Sequence, residues 1–170
     1  MTLALPILPS TALTRIIDPA LAMLPAKLGG DAARVLLLAI ALQESGLRRR
    51  MQPGEDAARG LWPFAQDGVV RKLLMHPSTC DVAAALCACC GVDASAGGVY
   101  SCLVADDLLS CGFARLNLYT DAAPLPAPDN SMGAWACYVR VWTPDKPRPR
   151  DWVDNYATAM SALGRSAIAA

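Results

Sequence analysis

The sequence predicts an all-α fold, on three observations. Ala and Leu dominate a hydrophobic fraction of 54%, and both are strong helix formers. Apolar residues recur at three- and four-residue spacing along several stretches, the period of one helix face. No run of four or more positions alternates cleanly between apolar and polar residues, as a half-buried strand would. At 170 residues the chain is long enough to build one core without disulfide or metal staples, and residues 1–170 read as a single domain.

The elements follow in order. Residues 11–28 read as one or two short helices, interrupted by Pro19 and Pro25 and ended by Gly29-Gly30. Asp31 then suits an N-cap, and residues 32–45 form a helix apolar almost all round, buried on most sides and stopped by Gly46. Residues 51–67 hold Pro53, Gly54, Gly60 and Pro63, too many breakers for a long element, and read as loop and turn. Residues 69–75 and 79–90 read as helices, the second capped by Ser78 or Thr79. Residues 99–119 contain no proline and one glycine, Gly112, and predict one long helix with a kink. After a Pro-rich connection at 124–128, residues 131–142 and 152–163 form the last two helices.

Composition excludes several functions. Fifteen basic residues balance fifteen acidic ones, so no net field favours nucleic acid or an anionic membrane. The short basic run Arg48 to Arg50 follows a predicted helix, where cations complement the dipole. No apolar run reaches the length of a membrane span, so an integral membrane segment is not expected. The first fourteen residues lack the basic start of a signal peptide. Seven cysteines cannot all pair within the chain, and most lie in apolar stretches, as reduced core thiols do. Cys87 and Cys90 form a C-x-x-C pair, but with His76 the single histidine they complete no convincing zinc set. No Gly-rich phosphate loop is present, and neither a metal nor another cofactor is expected.

Glu44 is the residue that points to chemistry. It closes the apolar run Val35 to Gln43, where apolar neighbours and the negative end of the helix dipole both disfavour a charged carboxylate. A carboxyl group kept protonated in this way is what a general acid requires. A solvated glutamate paired with Arg48 or Arg49 is the ordinary alternative.

Three segments carry a family resemblance. Ala39 to Leu47, with Gln43-Glu44-Ser45-Gly46 at its centre, resembles the lytic transglycosylase helix that ends Gln-Glu-Ser-Gly. Ala58-Arg59-Gly60-Leu61-Trp62 resembles the Gly-Leu-Met-Gln motif that follows it, and Leu118-Tyr119-Thr120-Asp121-Ala122 resembles the later Ala-Tyr-Asn-Ala-Gly segment. The resemblance implies a lysozyme-like helical domain with a glycan cleft, acting on peptidoglycan strands. It implies that Glu44 protonates the oxygen between MurNAc and GlcNAc and then acts as base, while the muramoyl 6-hydroxyl attacks to give a 1,6-anhydro product. Ser45 would orient Glu44 or an N-acetyl group, and Tyr119 would hydrogen-bond Glu44, with Tyr156 as its rival. Gly60, Leu61, Trp62, Phe64 and Gln66 would line the substrate, Gln66 replacing the family's glutamine where Pro63 and Phe64 stand. Trp62 and Phe64 serve equally well as sugar-stacking or core residues.

Glu55, Asp56 and Asp67 are candidate second carboxylates for a hydrolytic lysozyme. A non-catalytic structural or interaction protein of a virion, on the same scaffold, is the reading from another class. The setting expected is a bacteriophage protein made in the host cytoplasm that acts at the bacterial wall, carried in the virion beside other virion proteins or released at lysis.

Overall fold

A computed structural model of the chain describes residues 1–51 and 57–164. It is all-helical, and the described residues contain no strand. Helix α1 (Pro9–Ala12), a π-helical stretch (Leu13–Ile17) and α2 (Asp18–Ala22) run on without interruption. Pro19 falls in the first turn of α2, where a missing N–H and a fixed φ are tolerated, and the wider π turns before it join it to α1. A 3₁₀ turn (Ala26–Leu28) leads to α3 (Asp31–Glu44).

Helix α3 is the centre of the molecule. Its residues Val35, Leu36, Leu37, Leu38, Ala39, Ile40 and Ala41 are all buried, so the run that is apolar all round is enclosed all round. Each large side chain there contributes about 1.5 to 3 kcal/mol of burial. The cap is Gly30, with φ +97°. Asp31 is instead the first helical residue and pairs with Arg34 at 3.2 Å.

After α3, the segment 57–65 makes a tight turn held by reciprocal bonds between the Arg59 and Phe64 backbones, each 3.0 Å. Two isolated bridges, Met51 with Arg59 and Arg59 with Phe64, are the extent of β pairing among the described residues. A second π-helical stretch (Gln66–Val70) runs into α4 (Arg71–Met75), and α5 (Cys80–Cys90), α6 (Ala96–Cys102), α7 (Asp107–Tyr119), α8 (Ser131–Trp142) and α9 (Pro149–Ala162) follow. Helix α9 packs along α3 more extensively than any other pair of elements.

The single long helix expected over 99–119 is two helices. The chain breaks after Cys102, and Asp106 caps α7 by accepting from the Leu108 and Leu109 amides at 2.9 and 3.0 Å. Apolar spacing continues through the break, whereas the carboxylate competes for helix amides and starts a new N-terminus. Next to it, the fully buried Asp107 receives Arg50 Nε at 2.6 Å and Nη2 at 2.7 Å, which ties the loop after α3 to α7.

None of the seven cysteines is in a disulfide, and no group of three or more metal-ligating side chains occurs among the described residues. No single described helix is long and apolar enough to cross a membrane.

Candidate active site

Glu44 ends α3 and is half-buried. The tyrosine that meets it is Tyr138 of α8, whose hydroxyl donates to Glu44 Oε1 at 2.5 Å. Tyr138 is 2% exposed. Burial, and then the hydrogen bond to the Glu44 carboxylate, push its phenol well above the usual tyrosine range. It therefore stays neutral and donates. Glu44 Oε2 has no protein hydrogen-bond partner among the described residues, and the side chain lines a cavity of about 430 Å³.

The tyrosine is held by rings on both sides. Tyr138 stacks on Trp152 of α9 with centroids 5.1 Å apart and planes at 15°, and on Trp142, one turn along α8, at 6.4 Å and 29°. Trp135 completes the cluster, 5.4 Å from Tyr138 and 5.5 Å from Trp152. Such stacked pairs add about 0.5 to 1.5 kcal/mol each beyond area burial and leave the phenol little freedom to swing away from Glu44.

The glutamate's backbone is fixed from the preceding residue. Gln43 is 1% exposed; its Nε2 donates to the Arg148 carbonyl at 3.2 Å, and its Oε1 accepts from Asn155 Nδ2 at 2.8 Å. Arg148 Nη2 in turn donates to the Gln43 carbonyl. Arg148 is the N-cap of α9 and Asn155 lies in its middle, so two points of that helix hold the end of α3. Arg49 Nη2 reaches the Glu44 carbonyl at 3.4 Å, the helix-end contact expected of that basic run. The Glu44 carboxylate itself forms no ion pair among the described residues.

The cavity has two walls. One is Ala58, Pro63 and Ala65 from the turn after α3; the other is the end of α8 and the loop beyond it, including Trp142, Asp145, Lys146 and Arg148. It thus offers one anchored carboxyl group, an aromatic edge and charges of both signs in one concavity, a combination suited to a polar, ring-bearing ligand. The Trp142 indole N–H is buried without a partner.

Several residues named from sequence stand elsewhere. Tyr119 is at the far end of α3 from Glu44, with Lys27 Nζ 5.2 Å from its ring centroid, because α7 ends beside the start of α3 and not its finish. Tyr156 is buried and donates to the Pro128 carbonyl at 3.0 Å. Ser45 is buried, and its hydroxyl closes the helix end, donating to the Ala41 carbonyl at 2.9 Å and accepting from the Leu47 amide at 3.2 Å.

The turn after α3 is core as much as cleft. Leu61 and Trp62 are fully buried and Phe64 is 2% exposed. Trp62 Nε1 donates to the Leu37 carbonyl at 2.8 Å, and Phe64 packs on Trp142 at 6.0 Å. Both aromatics plug the floor and present no face to a sugar. Gly60 adopts φ +96°, and a Cβ there would meet Ser110 Oγ at 2.3 Å; it is a packing requirement against α7. Gln66, half-buried, lies beside Gly97 at the start of α6. Asp67 is exposed and pairs with Arg71 at 2.7 Å, while Glu55 and Asp56 lie outside the described residues.

Fold and site together define an all-α protein with one tyrosine-anchored glutamate at the mouth of a mixed-polarity cavity. Comparison of the chain with protein-family models, with curated proteins and with solved structures finds no match.

Proposed function

We propose that the protein is a peptidoglycan lytic transglycosylase with Glu44 as its single acid and base. The observation that carries this reading is the pairing of Glu44 with Tyr138: one carboxylate oxygen is fixed at 2.5 Å by a buried, neutral phenol and the other has no protein hydrogen-bond partner among the described residues. The Gln-Glu-Ser-Gly resemblance at the end of α3 supplies the substrate class.

In the forward step the Glu44 proton passes to the bridging oxygen and the C1–O bond breaks, releasing GlcNAc with a 4-hydroxyl. The muramoyl 6-hydroxyl then bonds to C1 and its proton returns to Glu44, so the enzyme is regenerated without consuming water. Positioned proton transfer of this kind is worth about 10² to 10⁴ in rate. Tyr138 is a positioning residue here: it keeps Oε1 occupied so that proton traffic uses Oε2. The expected setting is a virion-borne or lysis protein of a bacteriophage.

A hydrolytic lysozyme is the second reading, favoured by Asp145, a carboxylate on the same cavity as Glu44 that could activate water. Mass spectrometry of muropeptides released from purified sacculi separates the two. Anhydromuramoyl ends support the transglycosylase, reducing ends support the hydrolase, and no release transfers the site to a non-catalytic scaffold.

A further inference from the structure

A second cavity, about 460 Å³, lies where the start of α3 meets the end of α7. At a rise of 1.5 Å per residue, Ala32 in its lining stands about 18 Å along the helix from Glu44, so the two cavities are separate. The polar side chains around it are those of Lys27, Arg115, Tyr119 and Asp121.

Arg115 is the unusual member. It is 4% exposed, its Nε donates to the Leu28 carbonyl at 2.7 Å, and its Nη1 has no partner. Among the described residues no carboxylate pairs with it. Burying a guanidinium without a counter-charge is strongly unfavourable, and burial indeed lowers its pKa from the ordinary arginine value.

A second cation stands close by: Lys27 Nζ lies 5.2 Å and the Arg115 guanidinium 6.0 Å from the centroid of the same Tyr119 ring. The local carboxylates are committed elsewhere. Asp121 accepts from Arg140 Nε at 3.0 Å and Nη2 at 2.5 Å, and Asp31 pairs with Arg34 at 3.2 Å. The N-terminus of the fourteen-residue α3 opens here as well, and its cap, Gly30, brings no side chain to satisfy the first amides, so the helix adds partial positive charge.

We propose that this cavity is an oxyanion-binding site, in which Arg115, Lys27 and the N-terminus of α3 hold a carboxylate or phosphate group. The anion supplies the counter-charge that Arg115 lacks and separates two cations that otherwise repel across one ring. This site does not depend on the reading of Glu44.

The test is an NMR titration of the full chain with inorganic phosphate and, separately, with glutarate, each against sodium chloride of equal ionic strength. Saturable shifts of the Lys27, Gly29, Ala32 and Tyr119 amides are expected with at least one probe. Phosphate alone marks a phosphate site, glutarate alone a carboxylate site, and either supports the proposal. Shifts that chloride reproduces, or no saturation with either probe, overturn it. Lys27 is exposed, so Lys27→Met keeps the fold, and it should weaken binding about tenfold, the loss of one charge-assisted contact. Unchanged affinity in that variant also overturns the assignment.

Discussion

The Tyr138 hydroxyl and Glu44 Oε1 meet at 2.5 Å across 94 positions of sequence, and the contact depends on α8 and α9 clasping the end of α3. Replacing Tyr138 by Phe keeps the stack on Trp152 and Trp142 and removes the hydrogen bond alone. A hydrogen bond to a charged group is worth about 1.5 to 3 kcal/mol, so muropeptide release should fall roughly 10- to 100-fold in Tyr138→Phe. Tyr119→Phe and Tyr156→Phe should release at wild-type rates. A Tyr138→Phe protein that releases muropeptides as fast as the wild type would remove the phenol from the proposed mechanism.

Gln43 should matter through stability. Gln43→Ala strips the buried end of α3 of its bonds to Arg148 and Asn155, at about 2 kcal/mol. In a chain of this size that lowers Tm by about 4 to 8 °C, measurable by calorimetry. An unchanged Tm would mean that the Gln43 side-chain bonds add nothing to the docking of α9 on α3.

Asp107→Asn tests the link between the loop after α3 and α7. Asp107 is fully buried and holds Arg50 through two bonds, and removing one partner of a buried pair costs about 3 to 5 kcal/mol. Chemical denaturation should show a loss of that order. A loss below about 1 kcal/mol, the scale of an exposed pair, would show that the pair is solvated.

Thiol reactivity should sort by burial. Burial, with Asp93 nearby, pushes Cys87 up to about 11, so at pH 8 only about one part in a thousand is thiolate, and that fraction rises about 100-fold by pH 10. Cys89 is exposed. Iodoacetamide at pH 8 should label Cys89 and spare Cys87, as read by peptide mass spectrometry. Equal labelling of both would contradict the packing of α5.

Much of this molecule is legible in its sequence because local signals agree with the tertiary outcome. The unbroken apolar run Val35 to Ala41 reads as an enclosed helix and is one, and Glu44 stands out because an ionisable group ends that run. The break before Asp106 is hidden because apolar spacing carries straight through it, and the deciding signal is one carboxylate at a cap. Tyr138 is hidden for a different reason. On α8 it stands among the aromatics Trp135 and Trp142, a grouping that suits a core, and Tyr138 is buried; only its hydroxyl, brought to Glu44 by packing of distant helices, reaches the site. Trp62 and Phe64 suit either a cleft or a core by sequence, and the Trp62 bond to the Leu37 carbonyl places that indole inside.

The proposed role of Glu44 is tested by the rate of glycan release from purified sacculi by Glu44→Gln beside the wild type, with Tm recorded for both. Gln can still accept from the Tyr138 hydroxyl but cannot deliver a proton, so release should fall about 10² to 10⁴-fold with the fold intact. Release at the wild-type rate by a folded Glu44→Gln protein would show that Glu44 is not the proton donor.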